Sequence, residues 1–243
     1  MKIAIMGSGG LGGYFGARLA KGGADVTFIA RGAHLEAMRD RGLSVEGASE
    51  PIHVSPVRAS DDPASIGVCD LVVFAVKLWD TEEALELIRP MVGPRTTIVS
   101  FQNGVLKDEY LRAAYGASHI MGGVGYVATT IDRPGVIRQT GPMQRLIFGE
   151  FDGQRSERAE AFHEACIRGG SMPRSARIYA ARSGRNSFSL SGFPEPPPPC
   201  ARPSARSAPT RRPAPFCSTS CARWSRWGAP MGSPWMRTMP SSA

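Results

Sequence analysis

Short apolar runs alternate with amphipathic stretches over the first 120 residues. Each apolar run is bounded by polar residues or glycines and predicts a strand buried in a parallel sheet. These runs are residues 2–6, 25–30, 70–76 and 96–100, with shorter strands expected near 43–45 and 52–54. The stretches between them predict helices at 11–21, 34–39, 81–88 and 104–114. Alternating strands and helices predict βαβ units and a mostly parallel sheet.

The pattern changes after residue 119. Three strand-like runs follow, at residues 121–131, 135–139 and 145–148. Pro134-Gly135 and Gly141-Pro142 separate them, and such pairs favour turns between antiparallel strands. We therefore expect antiparallel strands at an edge of the sheet. The last element is predicted to be a helix at 155–168.

The composition changes abruptly near residue 170. Residues 172–243 contain 11 arginines, 13 prolines and 13 serines, but no lysine, no valine, and only Ile178 and Leu190 among the branched aliphatics. So few apolar side chains cannot offset the ordering entropy of such a segment, about 1–2 kcal/mol per residue. We therefore predict a folded α/β domain over residues 1–170 and an Arg/Pro/Ser-rich tail, without a recognisable fold, over residues 171–243.

Charge and cysteine usage limit the possible classes of protein. Residues 1–171 carry 18 basic and 20 acidic side chains, so the excess of positive charge lies in the tail and says nothing about the partners of the folded part. We expect no nucleic-acid partner. Five cysteines form no disulfide framework, which favours a reduced, cytoplasmic location. Cys217 and Cys221 follow all four histidines, so we expect no metal site. No apolar run has the length of a signal sequence or a membrane span.

A glycine-rich motif follows the first predicted strand and opens the first predicted helix. Its residues are Gly7, Ser8, Gly9, Gly10, Leu11 and Gly12, which fit the pattern G-x-G-x-x-G. In this context the glycines allow backbone N–H groups to approach a pyrophosphate at the helix N-terminus. The motif predicts a Rossmann-type, doubly wound domain that binds a dinucleotide. The alternative is a glycine-rich turn that binds no ligand.

Three polar residues follow later predicted strands. Arg31 ends the second strand, where an acidic residue would select NAD, so its guanidinium favours the 2′-phosphate of NADP. Lys77 follows the third main strand and Asn103 the fourth, at the strand ends where ligands bind in such sheets. The alternatives are a solvated arginine at a helix start, an ordinary lysine at a strand end and a plain Asn-Gly turn.

Taken together, these motifs resemble the ketopantoate reductase (2-dehydropantoate 2-reductase) family over residues 1–168. The resemblance rests on the glycine motif, Arg31, Ala75-Val76-Lys77, Gln102-Asn103-Gly104 and the strand block 122–150. It implies an NADP(H)-binding domain, followed by a helical substrate and dimerisation domain, and reduction of ketopantoate to pantoate in pantothenate synthesis. It also implies that Arg31 contacts the 2′-phosphate and that Lys77 and Asn103 lie where nicotinamide and substrate meet. Related members would reduce other small 2-oxo acids, and a non-catalytic NADP-binding module is a further alternative.

The chain departs from the family after residue 168. The resemblance implies a general-acid lysine early in the second domain, yet no lysine follows Lys107. We expect the chain as written to be impaired or inactive, and a homodimer only where the helical domain exists. A frameshift near residue 170 of a GC-rich gene explains the loss of Leu, Val, Lys and Asp. The alternatives are a native, disordered basic tail that binds nucleic acid or an acidic partner, and a small unknown fold.

Overall fold

The computed structural model describes residues 1–47, 50–104 and 106–175, and only the backbone of residues 172–175. Most of the predicted tail, including Cys217 and Cys221, therefore lies outside the described residues. Within those residues no helix is both long and apolar enough to cross a bilayer. Cys69 and Cys166 are both buried thiols.

The described chain contains ten strands and five α-helices. The strands are β1 Lys2–Met6, β2 Asp25–Ile29, β3 Leu43–Gly47, β4 Ile52–Val54, β5 Arg58–Ser60, β6 Leu71–Phe74, β7 Thr97–Ser100, β8 Ile120–Arg133, β9 Val136–Gly149 and β10 Met172–Ser175. The helices are α1 Gly10–Lys21, α2 Gly32–Arg41, α3 Thr81–Leu87, α4 Lys107–Tyr115 and α5 Glu157–Arg168.

The described strands form one sheet in the order β4-β3-β9-β8-β7-β6-β1-β2-β5, with β10 paired to β9. All neighbours from β8 through β7, β6, β1 and β2 to β5 are parallel. Parallel neighbours need crossover connections, and these are provided by helices and irregular segments. The predicted fold class, a Rossmann-type mostly parallel sheet with added antiparallel strands, is confirmed.

Apolar side chains cover both faces of the sheet, as expected for a doubly wound fold. On one face, α1 and α5 pack on the sheet around Phe15, Phe28 and Phe162. On the other face, Ile88, which follows α3, and Leu111 of α4 pack with Phe74 of β6. Because β6 is covered on both sides, its four residues are all buried, which accounts for its uninterrupted apolar sequence.

The strands after residue 119 differ from the prediction. Instead of three runs there are two long antiparallel strands, β8 and β9, joined near Gly135. Gly141-Pro142 does not end a strand, because the ladder accommodates it in a bulge. Val127 pairs with Gln144 and Thr129 with Gln139, so residues 140–143 stand opposite Ala128 alone. The turn predicted at Gly141-Pro142 is therefore wrong.

Other boundaries also differ from the sequence prediction. The short strand β5 was not predicted, although it extends the parallel sheet beyond β2. Helix α4 begins at Lys107 rather than at residue 104. The predicted helix at 155–168 is not the last element, because β10 follows it and pairs in parallel with β9. Strand β3 pairs in parallel with β9, so the added strands are not all antiparallel.

Helices α1 and α5 meet at their carboxyl ends. Gly22 ends α1, and a Cβ atom there would lie 2.6 Å from the backbone nitrogen of Gly169, which ends α5. Arg18 stacks on the ring of Tyr14 and donates to the carbonyl oxygen of Gly170 at 3.3 Å. The first helix of the chain is therefore packed directly against the last described one.

Candidate functional site

The carboxyl ends of four parallel strands meet at one edge of the sheet. Met6 of β1 pairs with Ile29 of β2 and Phe74 of β6, and Phe74 pairs with Ser100 of β7. The loops after these strands carry the glycine motif, Arg31, Lys77 and Asn103 respectively. The structure therefore brings all of the predicted site regions to the edge where ligands bind in doubly wound sheets.

Gly7 and Gly12 of the motif are required by the packing of α1 against β1 and the loop after β6. Gly7 has a φ of +96°, which side chains rarely adopt, and a Cβ there would lie 2.9 Å from the backbone nitrogen of Val76. A Cβ at Gly12 would collide with the carbonyl oxygen of Gly7 and lie 3.0 Å from Ile5 Cγ2. These glycines let α1 lie close to β1 and the loop after β6.

Gly9 and Gly10 face different surroundings. A Cβ at Gly10 would collide with the carbonyl oxygen of Thr129, which brings β8 against the start of α1. A Cβ at Gly9 would meet no atom of the described residues within 4 Å. The packing of the described part of the chain therefore does not require glycine at position 9, whereas close approach of a ligand to the backbone would.

The N-terminus of α1 is suited to an anion. Gly9 caps the helix without a side-chain hydrogen bond, and the first turn contains no acidic residue. The first N–H groups of a helix lack intrahelical acceptors, and the helix dipole favours negative charge there. Together with the open side of Gly9, this arrangement fits the pyrophosphate of a dinucleotide.

Ser8 is held from two sides and does not face outward. Its hydroxyl donates to the carbonyl oxygen of Ile29 at 2.9 Å, and its own carbonyl oxygen lies 3.0 Å from His34 Nε2. The backbone N–H of Gly135 donates to His34 Nδ1, so Nε2 carries the proton and donates to Ser8. Burial lowers the pKa of His34, which keeps the ring in this neutral form. His34 is a positioning residue that the sequence patterns did not indicate.

Arg31 precedes α2, and its side chain forms an ion pair. Its Nη2 atom lies 2.7 Å from Oε1 of Glu83 in the first turn of α3. Both side chains are largely exposed, at 62% and 59% of their full accessible surface. Arg31 therefore lies at the strand end as predicted, but it is paired with a carboxylate from the far side of β1.

Lys77 and Asn103 are exposed at the ends of neighbouring strands. Within the described part of the chain, neither side chain has a hydrogen bond or ion pair. Gln102 joins the two loops: its Nε2 donates to the carbonyl oxygen of Val76 at 3.1 Å and to Thr81 Oγ1 at 2.8 Å. Gln102 is buried, so it positions the loops rather than facing a ligand. In the sequence, the only indication of this role is that Gln102 immediately precedes Asn103, a predicted site residue.

A buried ion pair anchors the loop after β7. Lys107 Nζ lies 2.7 Å from Asp108 Oδ1 and donates to the carbonyl oxygen of Ser100 at 3.0 Å. Burial lowers the pKa of Lys107 and raises that of Asp108, while their mutual attraction opposes both changes. These groups lie beneath the edge of the sheet, where they fix the loop that carries Asn103.

The fold and the glycine edge define a Rossmann-type α/β domain. In the described residues, no group of three or more His, Cys, Asp or Glu side chains is placed to hold a metal ion. The family described as ketopantoate reductase PanE/ApbA matches residues 3–153. The chain belongs to this family, as its resemblance implied.

Curated relatives match the same region. The chain is 36% identical over 192 residues to a 2-dehydropantoate 2-reductase of Mesorhizobium japonicum, covering 70% of this chain and 58% of the relative. It is 33% identical over 165 residues to an uncharacterized oxidoreductase of Bacillus subtilis, covering 68% of this chain and 54% of the relative. The chain thus spans little more than half the length of these relatives.

Solved structures match equally well. The 2-dehydropantoate 2-reductase of Porphyromonas gingivalis superposes with a TM-score of 0.70 and 31% identity, over 74% of this chain and 65% of that one. The enzyme of Geobacter metallireducens gives a TM-score of 0.69 and 34% identity, over 73% and 58%. A D-mandelate dehydrogenase solved with NADH is only 19% identical with a TM-score of 0.63, so it is similar in fold alone.

Proposed function

We propose that residues 1–170 form the NADP(H)-binding domain of an enzyme that reduces 2-dehydropantoate to pantoate. The observation that carries this proposal is the convergence of the glycine loop, Arg31, Lys77 and Asn103 at one edge of a Rossmann-type sheet. Membership of the family and the names of the relatives support the substrate. When bound, NADPH would supply the hydride that reduces the ketone.

The chain's own residues would hold and orient the cofactor. The N–H groups at the start of α1 would bind the pyrophosphate, since no atom of the described residues occupies the open side of Gly9. Arg31, exposed at the end of β2, would bind the 2′-phosphate through its planar guanidinium. Such a contact would distinguish NADPH from NADH.

Lys77 and Asn103 would act on the nicotinamide side. Both are exposed on adjacent loops that Gln102 ties together, so both can contact the same ligand. The lysine cation would hold a substrate carboxylate or stabilise the developing alkoxide, and the Asn103 amide would orient nicotinamide or substrate. The general-acid lysine that the family implies has no counterpart, because no lysine follows Lys107. We propose that residues 1–243 by themselves bind the cofactor without turnover.

Arg31→Ala tests the cofactor assignment. Loss of a charged hydrogen-bond donor should weaken NADPH binding by about ten- to a hundredfold, while NADH affinity should change by less than about threefold. Dissociation constants for both cofactors can be measured by calorimetry on the 243-residue chain. Arg39→Ala is the matched control, because Arg39 is also exposed and pairs with a carboxylate, that of Asp61, at 3.3 Å. Equal losses for NADPH and NADH would contradict the 2′-phosphate contact.

The substrate can be tested separately. A full-length relative, compared on several small 2-oxo acids, would show whether ketopantoate is preferred. Preference for another 2-oxo acid would make this a reductase of the same family with a different substrate. A non-catalytic NADP-binding module is the second candidate, because residues 108–243 contain no lysine. Tight NADPH binding without oxidation by any 2-oxo acid would support that function.

We also propose that the segment from residue 171 is an out-of-frame remnant of the helical domain. Its composition supports this origin, as does the match to the family, which ends at residue 153. Resequencing the DNA across codons 160 to 180 tests the proposal. A gained or lost base, with a helical sequence containing an early lysine in another frame, is the expected result. A confirmed frame with no such sequence would exclude it.

A further inference from the structure

An exposed ion pair connects the two sides of the glycine loop. Arg31 follows β2, and Glu83 lies in α3, which follows β6. Because β1 lies between β2 and β6 in the sheet, the 2.7 Å contact between these side chains passes across the end of β1. The pair therefore lies beside the loop that would hold the dinucleotide.

We propose that Glu83 tunes cofactor preference: it competes with a 2′-phosphate for the guanidinium of Arg31 and so lowers the affinity for NADPH relative to NADH. This inference rests on the proposed function, because it requires that the glycine edge binds a dinucleotide. In the structure, Glu83 Oε1 occupies one donor of Arg31. A ligand phosphate that binds this donor must displace the carboxylate.

The 2′-phosphate should bind Arg31 more strongly than the Glu83 carboxylate does, yet the carboxylate should still have a measurable effect. An exposed ion pair biases an equilibrium by about fivefold or less, because water and salt screen it. A phosphate carries more charge and binds the guanidinium fork through two oxygens, so it displaces the carboxylate. Part of its affinity is lost in breaking the Arg31–Glu83 contact. NADH has no 2′-phosphate and leaves the pair intact, so Glu83 lowers the affinity for NADPH only.

Helix α3 supplies a matched control. Glu82 precedes Glu83 in the same helical turn, is exposed and carries the same charge. Within the described residues Glu82 forms no ion pair, whereas Glu83 contacts Arg31. Removing the charge of Glu82 reproduces the change in net charge without releasing the guanidinium.

The experiment measures NADPH and NADH dissociation constants for the 243-residue chain and its variants by calorimetry. Glu83→Gln should bind NADPH about three- to fivefold more tightly, with NADH changed by less than about twofold. Glu82→Gln should leave both within about twofold. An unchanged NADPH affinity in Glu83→Gln, or an equal gain in Glu82→Gln, would overturn the inference. Thermal unfolding of each variant confirms that the fold is retained.

A double variant tests whether Glu83 acts through Arg31. In the Arg31→Ala background, adding Glu83→Gln should change NADPH affinity by less than about twofold, because no guanidinium remains to be released. A full gain in that background would show that Glu83 acts by direct repulsion and would overturn the proposed competition.

The two proposals fail in different ways. Wild-type binding of NADPH that Arg31→Ala weakens, together with a silent Glu83→Gln, would leave the proposed function standing and remove this inference. No binding of either dinucleotide to the wild-type chain would overturn both.

Discussion

The loop after β1 and the loops after β6 and β7 lie at the same edge of the sheet but are built differently. In the glycine loop, backbone and side-chain atoms within about 3 Å of the sites of absent Cβ atoms fix Gly7 and Gly12. Lys77 and Asn103, in contrast, extend from the protein on exposed loops whose support is the buried Gln102. The conformation of the glycine loop is fixed by packing within the domain, whereas the other two loops expose polar side chains to solvent, where a ligand could bind them.

This difference indicates that binding a dinucleotide and reducing a ketone would place different demands on the domain. A pyrophosphate can be bound by backbone N–H groups that the domain orders by itself. Reduction of a ketone also needs a positioned acid and a site from which water is excluded, and exposed side chains at one edge cannot provide these alone. The chain spans little more than half the length of the curated relatives that it matches.

The largest expected effect distinguishes two glycines of the same motif. Gly12→Ala should destabilise the domain by about 3 kcal/mol or more, because its methyl group would collide with the Gly7 carbonyl. Gly9→Ala should change stability by less than about 1 kcal/mol, because among the described residues its methyl group meets no atom within 4 Å. Urea unfolding measures both.

The effect of Gly9→Ala is expected on cofactor binding rather than on stability. Folded Gly9→Ala should bind NADPH at least about tenfold more weakly, since the methyl group would keep a phosphate from the backbone. Normal NADPH binding by Gly9→Ala would contradict the placement of the pyrophosphate. Equal stability of the two variants would contradict the packing of Gly12.

The second comparison concerns neighbouring residues in the loop after β7. Gln102→Ala should cost about 1–3 kcal/mol, because Thr81 Oγ1 and the Val76 carbonyl lose a buried donor. Asn103→Ala should cost less than about 0.5 kcal/mol, because Asn103 is exposed. Urea unfolding of the two variants measures this difference. Similar losses of stability would mean that Asn103 supports the fold rather than a ligand.

The smallest effect is a pH dependence of stability. The pKa of His34 is lowered by burial, so the unfolded chain takes up a proton at a higher pH than the folded one. Stability should therefore be full above about pH 7 and decrease as the pH falls through the usual histidine pKa, near 6.5. His34→Gln should remove this part of the decrease, and His53→Gln, at an exposed histidine of β4, should not. Unfolding free energies at pH 7.5 and 5.5 provide the test.

The periodicity of the sequence predicts β1, β2, β6 and β7 well, because each is a short, mostly apolar run. It misses β5, which is short and polar. The β8–β9 hairpin is a different case. Its bulge opposite Ala128 keeps the ladder continuous past Gly141-Pro142, and no local pattern distinguishes a bulge from a turn. Strand β10 contains Pro173 and pairs with β9 through tertiary contacts that its sequence does not indicate.

The candidate site shows the same division. Gly7 and Gly12 follow from the motif, since backbone conformation and close packing select glycine there. The partners of the motif come from distant positions: His34 reaches Ser8 across two elements, and Glu83 reaches Arg31 from the far side of β1. Contacts of this kind depend on the assembled sheet and leave no periodic trace in the sequence.

The contact between the ends of α1 and α5 has a consequence during synthesis. Gly22 meets Gly169, and Arg18 reaches the carbonyl of Gly170, which lies 152 positions later in the chain, so the packing of the helix that begins at the glycine loop is completed only when these later residues are present. Contacts this distant along the chain slow folding, and a growing chain emerges N-terminus first. A nascent chain should therefore acquire affinity for a dinucleotide in one late step, after residue 170 has left the ribosome.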